Sequence, residues 1–345
     1  MSNRTTGPLF VTLLVALFLI TSCRGRSKVP DDNKSGKDTL TMLLEDLSKK
    51  IADHPSDPDL LQQRTKYYLM DHQEKLAFAD ISKAISLSPN KASLYITLSD
   101  VYLGMGKPDN CNEALLKAIA IDPRNNPALI RLSKLSLIIK DYKATFEYVK
   151  KALEIDPQNP QAYFTRALAL LEKGDTVLAV EDFKRTVDQD QGFYGAYVEL
   201  GELYSMRKDP IAADYLKNAI RIRPDSREAM YMLGMFCQET GKYEDALETY
   251  AKLAKIDSTF KDASYNIGYI YLVYLHDFRK AASYFTAALQ RDPGYIEALF
   301  NRGYAYELSG EYSKAYQDYK HVLELRTNYQ KAIDGLNRID KARGK

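Results

Sequence analysis

Little in this chain is equipped for catalysis. It carries three cysteines and four histidines in 345 residues. His54, His72, His276 and His321 are scattered, without the spacing of a metal-ligand set. There is no nucleophile–base or paired-carboxylate motif, and no glycine-rich phosphate loop. Gly104 and Gly106, in "LGMGKPD", read instead as a turn between helices. These absences predict a protein that is not an enzyme and holds no cofactor or metal. Charge of one sign is also lacking. Lys plus Arg number 48 against 46 Asp plus Glu, and no basic stripe of the kind that binds nucleic acid gathers on one face. Long hydrophobic runs are missing too. The apolar stretch from Leu9 to Ile20 falls well short of the ~20 residues that span a bilayer.

What the chain does have is a proline rhythm. Dipeptides closing successive segments place prolines at Pro89, Pro123, Pro157, Pro224 and Pro293, with silent beats at Gln191, Ser258 and Thr327. The intervals from Pro89 are 34, 34, 34, 33, 34, 35 and 34 residues. That period is the mark of a helix–turn–helix array. Such units cannot bury their apolar faces alone, so they stack and generate a concave surface suited to other proteins.

With the closing proline as position 32, repeats open at Pro58, Ala92, Asn126, Pro160, Tyr194, Arg227, Lys261 and Ile296. Position 8 is always small: Thr65, Ser99, Ser133, Ala167, Gly201, Gly234, Gly268 and Gly303. So is position 20: Ala77, Cys111, Thr145, Ala179, Ala212, Ala246, Ala281 and Ala315. Position 24 holds a large apolar knob: Ile81, Leu115, Val149, Phe183, Leu216, Tyr250, Phe285 and Tyr319. Positions 4, 7, 8 and 11 form an amphipathic helical stripe, as in Tyr197, Leu200, Gly201 and Tyr204. Cys111 and Cys237 both fall on core positions more than three repeats apart, too far for a disulfide.

These residues resemble the tetratricopeptide repeat (TPR) family, most strongly in segments such as "FNRGYAYELSGEYSKAYQDYKHVLEL". The resemblance covers Pro58 to Tyr329 and leaves no room for a separate catalytic domain. It implies an all-α TPR solenoid, a right-handed superhelix of eight repeats. Their bounds are 58–91, 92–125, 126–159, 160–193, 194–226, 227–260, 261–295 and 296–329. Departures are local. Met230 and Ser264 replace the usual aromatic at position 4, and Arg64, Arg166 and Arg302 occupy position 7. The 33-residue repeat loses a residue in "MRKDP", and the 35-residue one gains a residue near "LHDF". Turns tolerate such changes cheaply. Residues 40–57 read as an N-terminal capping helix with Leu43 and Leu47 inward, and 330–345 as a C-terminal capping helix and tail with Ile333 and Leu336 inward. Solenoids need such caps for solubility.

Residues 1–22 have the form of a secretory signal peptide. The segment ends in Ile20-Thr21-Ser22-Cys23, which resembles the bacterial lipobox. By that resemblance Cys23 becomes the first mature residue and carries the lipid. The other readings are an ordinary cleaved signal with a coincidental cysteine, or an uncleaved anchor. Several acyl chains on one residue satisfy the rule that stable anchoring takes more than one. Arg24, Gly25 and Arg26 follow, with no acidic residue directly after Cys23. In the family rule this favours the outer membrane, facing the periplasm. Residues 23–39 are polar enough to read as a disordered tether.

In TPR arrays the first helix of each repeat lines the groove, with positions 2, 5, 6, 9, 12 and 13 inward. Position 5 runs Gln62, Ile96, Ile130, Phe164, Val198, Tyr231, Tyr265 and Phe300, and position 9 runs Lys66, Asp100, Lys134, Leu168, Glu202, Met235, Tyr269 and Tyr304. The C-terminal half is thus aromatic, the composition of interface hot spots. The competing reading is that these rings are half-hidden core. Asn266 and Asn301 at position 6 could pair with the backbone of an extended peptide, or bond locally. Phe164, Tyr231, Met235, Tyr265, Asn266, Tyr269, Phe300, Asn301 and Tyr304 are therefore the candidate peptide-binding residues. The carboxylate clamp of some TPR domains is disfavoured, since only Arg131 matches it. The expected function is a non-enzymatic interaction scaffold, lipid-anchored in the bacterial envelope, with a protein or peptide partner. The runner-up is a structural subunit of an envelope assembly or secretion complex.

Overall fold

Residues 33–344 are described by the computed structural model of the protein, and every regular element among them is an α-helix. Cys23 and the signal segment lie outside the described residues. The chain divides into two compact units, at Gln191 and Gly192. The first contains α1 (Asn33–Asp53), α2 (Pro58–Met70), α3 (Glu74–Leu87), α4 (Ala92–Gly104), α5 (Pro108–Ile121), α6 (Asn126–Ile138), α7 (Tyr142–Ile155), α8 (Pro160–Glu172) and α9 (Thr176–Gln189). The second contains α10 (Tyr194–Met206), α11 (Ile211–Ile222), α12 (Arg227–Glu239), α13 (Tyr243–Ile256), α14 (Lys261–Val273), α15 (Phe278–Arg291), α16 (Ile296–Leu308), α17 (Tyr312–Leu325) and α18 (Gln330–Ala342). Each even-numbered helix from α2 to α16 starts at the residue that opens a repeat.

Local chemistry sets these boundaries. The side chains of Asp57, Asn125, Asn159 and Ser226 accept backbone N–H groups from the first turns of α2, α6, α8 and α12. Those N–H groups have no partner within the helix. Inside each repeat the first helix ends on a residue of positive φ. These are His72, Gly106, Lys140 and Gly174 in the first unit, and Lys208, Gly241, His276 and Gly310 in the second. The next N–H then returns to an earlier carbonyl, as Lys107 N donates to Tyr102 O at 2.9 Å and Glu311 N to Tyr306 O at 2.8 Å. This is the Schellman closure, which satisfies carbonyls the helix leaves open.

The small positions face the knobs. In the second unit, a Cβ placed on Gly201 would lie 2.6 Å from the Leu216 side chain, and one on Gly234 2.5 Å from the Tyr250 ring. At Gly268 and Gly303 the corresponding distances to Phe285 and Tyr319 are 3.0 Å. All eight knobs are buried. Position 8 is small because the knob of its own repeat occupies the space.

The arginines at position 7 have partners. Arg64 clasps Asp80, Arg166 clasps Asp182 and Arg302 clasps Asp318, each with two hydrogen bonds of 2.6–2.8 Å. The three aspartates stand at position 23 of the same repeats and are buried. Arg64 and Arg302 also reach back to Ser48 and Thr286 of the preceding helix.

Several expectations shift in detail. Helix α1 begins at Asn33, so residues 33–39, read as tether, lie within it. Composition that cannot build a core does not forbid a helix. Leu47 and Ile51 of α1 are buried, but Leu43 is 38% exposed, because the apolar stripe outruns the helices that cover it. In α18 the buried residues are Ala332, Gly335 and Ile339, and Ile333 and Leu336 flank them half-buried. The 33-residue repeat has its deletion at the start of its second helix. There α11 spans 12 residues, where the other repeats' second helices span 14, and Pro210 precedes it as N-cap. Cys111 and Cys237 are free and buried.

Candidate functional site

The candidate face of each unit comprises positions 5, 6 and 9 of its first helices, and the two units differ in what they place there. In the first unit position 5 belongs to the interior in three repeats, and Ile96 is half-buried. Gln62 is buried and donates to Ser93 O and Thr97 Oγ1, each at 2.8 Å, tying α2 to α4. Ile130 and Phe164 are buried as well, and the Phe164 ring packs 5.5 Å from Phe183. Around them the face is polar. Arg131 on α6 pairs with Asp100 on α4 through bonds of 3.1 and 3.2 Å.

In the second unit position 5 becomes the centre of a ring cluster, repeated three times. Tyr231 packs on Tyr250 and Phe260, with centroids 6.2 and 5.5 Å apart. Tyr265 packs on Phe285 and Tyr295 at 5.6 and 5.0 Å. Phe300 packs on Tyr319 and Tyr329 at 5.6 and 5.4 Å. Each triad joins position 5, the knob at position 24 and the last residue of the repeat. That last aromatic was legible as periodicity and was missed, since only inward helical positions were tracked. The three position-5 rings are half-buried, so each has one face in the core and one edge available.

Position 9 extends these clusters outward. Tyr269 stands 6.3 Å from Tyr265 and 6.1 Å from Tyr274, and Tyr304 stacks 6.3 Å from Phe300. Met235 is half-buried beside Asn266, whose amide donates to its sulfur at 3.7 Å. Asn301 donates to the Tyr265 hydroxyl at 2.9 Å. The two asparagines thus link consecutive first helices, Asn266 buried and Asn301 half-buried. Burial pushes the Tyr265 hydroxyl up to about 12, so it stays protonated and offers a donor near neutrality. Of the candidate residues, Phe164 lies in the first unit. Tyr231, Met235 and Asn266 form one group, Tyr265, Tyr269 and Asn301 a second, and Phe300 with Tyr304 a third.

At the far end, α18 is tied down by charge. Arg338 gives two bonds of 2.6 and 2.9 Å to Glu307, which also accepts from Tyr319 at 2.6 Å. Burial alone would raise the Glu307 carboxyl, but these hydrogen bonds outweigh it and hold it low. Among the described residues no three His, Cys, Asp or Glu converge as a metal-ligand set.

Four family models described as Tetratricopeptide repeat match residues 127–159, 148–181, 212–265 and 270–332. A fifth, ChAPs (Chs5p-Arf1p-binding proteins), matches 41–122. Human Mitochondrial import receptor subunit TOM34 is 30% identical over 126 residues, which is 34% of this chain and 41% of that protein. Photosystem I assembly protein Ycf3 of Cyanophora paradoxa is 30% identical over 105 residues, 29% of this chain and 61% of that one. The chain therefore matches less than two thirds of either relative. A solved structure of Pseudomonas aeruginosa pilF aligns at TM-score 0.52 and 18% identity, covering 58% of this chain and 92% of that one. The chain carries tetratricopeptide repeats, and its fold is an all-α TPR solenoid.

Proposed function

We propose that the protein is a non-enzymatic interaction scaffold that holds a segment of a partner protein along the inward face of its last three repeats. The observation that carries this is the row of half-buried Tyr231, Tyr265, Tyr269, Phe300 and Tyr304 on α12, α14 and α16. Aromatic side chains offer large contact area at low entropic cost, which is why hot spots favour them. The asparagines already bridge neighbouring helices, and the half-buried Asn301 retains amide capacity for a backbone laid across it. Relatives that bear the names import receptor subunit and assembly protein support the same direction.

We further propose a bacterial envelope location, with lipid on Cys23 and the repeats on the periplasmic side of the outer membrane. This rests on the Ile20-Thr21-Ser22-Cys23 run behind a short apolar segment. Cys23→Ala should then abolish lipidation and release the protein from the membrane fraction. Persistence there at unchanged mobility would overturn the anchor.

The groove is tested by capture from detergent-solubilised membranes, followed by calorimetry with the partner recovered. Tyr269→Ala should weaken binding by about 1–3 kcal/mol while circular dichroism stays unchanged. If Tyr269→Ala and Phe300→Ala together unfold the repeats without a separable binding defect, the rings are core. If binding and fold both survive, the partner sits elsewhere.

A further inference from the structure

Four acidic residues among those described are buried: Asp80, Asp182, Glu199 and Asp318. The three aspartates are each clasped by an arginine of their own repeat. Glu199 has no hydrogen bond and no ion pair. It is 5% exposed and sits at position 6 of α10, a groove position. Three residues on, Glu202 stands at position 9 and is exposed, while Glu228, at position 2 of α12, is half-buried. Glu202 and Glu228 are both close enough to act on Glu199. Burial, then Glu202, then Glu228 push the Glu199 carboxyl up to about 8. Solvent reaches Glu202, yet the packing around its carboxyl, and then Glu228, raise it as well.

Among the described residues no cation acts on Glu199 or Glu202. Tyr194 donates to Glu228 at 3.1 Å and shares a 2.7 Å bond with Ser226. Arg223, the nearby positive charge, lies over the Tyr194 ring at 4.1 Å instead of pairing with a carboxylate. A buried carboxyl with no partner is costly, and this fold answers that cost with an arginine at each other buried acid. The three carboxyls do not converge as a metal-ligand set.

We propose that Glu199, Glu202 and Glu228 form a recess that takes the ammonium or guanidinium of a lysine or arginine on the partner protein. This deepens the reading of the inward face as a partner-binding groove, and it assigns a second contact point to it. The exposed Glu202 attracts the incoming cation, Glu228 flanks it, and Glu199 at the base gives up its proton to solvent as the charge arrives. The partner therefore presents a basic residue to the fifth and sixth repeats and apolar residues to the later ones.

The test titrates full-length protein in detergent with acetyl-Ala-Ala-Lys-Ala-Ala-amide, its Gln counterpart, and n-butylammonium chloride at fixed ionic strength. Calorimetry should detect the lysine peptide but not the Gln peptide. Combined Glu199→Gln and Glu228→Gln should cost about tenfold in affinity or more, with circular dichroism unchanged. Rescue is expected from neither single neutral variant; Glu199→Asp should retain part of the binding. Tyr269→Ala with Phe300→Ala should leave the titration intact, so loss of the aromatic site and loss of this one read differently. Equal binding of the Lys and Gln peptides, or wild-type affinity in the Gln variant, overturns the proposal. If n-butylammonium binds as tightly as the peptide, the recess is a free-amine site and the protein-partner assignment fails.

Discussion

In the first unit, position 8 carries Thr65, Ser99, Ser133 and Ala167, opposite knobs that are aliphatic except for Phe183. In the second it carries four glycines, opposite Leu216, Tyr250, Phe285 and Tyr319. The hydroxyls of the first unit close onto their own helices, with Thr65 donating to Leu61 O and Ser133 to Ile130 O at 2.8 Å each. Three of the second unit's four knobs are rings, and a Cβ on the facing glycine would stand 2.5–3.0 Å from each of them. The unit of specification is thus the pair of positions 8 and 24 and not either alone. The exchange has a functional consequence, since each buried ring becomes the floor on which a position-5 ring rests. An aromatic inward face follows from an aromatic core.

The buried acids give the same contrast its largest test. Asp182 in the first unit is held by Arg166, and Glu199 in the second is held by nothing. Arg166→Met strands a buried carboxylate and should destabilise the protein by about 3 kcal/mol, the low end for a buried pair, since the arginine is partly exposed. Urea unfolding measures it. An equal loss is expected for Arg302→Met. If Arg166→Met is neutral, the pair is ornamental and the contrast with Glu199 dissolves.

Overpacking comes next. Gly234→Val drives a branched side chain into the Tyr250 ring and should cost about 2–3 kcal/mol, with proteolysis confined to nearby repeats. Gly268→Val should cost less, because Phe285 stands further off. The comparison sharpens if Gly234→Ser is joined to Tyr250→Leu, which transplants the pairing of Ser99 with Leu115. The double variant should be more stable than the sum of the singles by about 1 kcal/mol or more. Strict additivity would show that the two positions are independent.

The pairings were partly legible beforehand. A size limit at position 8 appears eight times in one column, so it can be read without structure. The Arg–Asp clasps can be read only by comparing two columns, where Arg64, Arg166 and Arg302 coincide with Asp80, Asp182 and Asp318 and with no others. Exposure is harder. Periodicity places Leu43 on the same stripe as Leu47 but does not say where the covering helices stop. Phe164 and Asn266 are buried while Tyr231 and Asn301, at the same groove positions, are half-buried, because burial depends on what adjacent helices bring. Glu199 carries no sequence signal at all; a lone glutamate at a tolerant position looks like solvated surface.

Its titration is the third test. Folded protein keeps the Glu199 proton up to about pH 8, whereas an unfolded chain releases it near the ordinary carboxylate value. The folded state binds more protons between those limits, so stability should fall as pH rises through that window. Glu202, whose carboxyl is raised as well, adds to the slope. Glu199→Gln should flatten the profile. It should match wild type below about pH 4 and exceed it by several kcal/mol above pH 8. Parallel wild-type and variant profiles would mean that Glu199 ionises normally.

The smallest effect concerns what the two units share. Each has four turns that need a left-handed residue, and each fills two with glycine and two without. Lys140 and Lys208 hold φ of 61° and 54°, a region where a Cβ costs about 1–2 kcal/mol. Glycine removes that strain but adds freedom to the unfolded chain, which returns about 0.5–1 kcal/mol. Lys140→Gly should therefore stabilise by about 0.5 kcal/mol, and Gly174→Ala should destabilise by about 1 kcal/mol. Lys208→Gly in the second unit should match Lys140→Gly within error, because the turn closes through the same backbone bonds in both units. Thermal unfolding of the two variants side by side decides it. A gain in one unit only would mean that the turns are strained differently, and the contrast between units would then extend beyond the core.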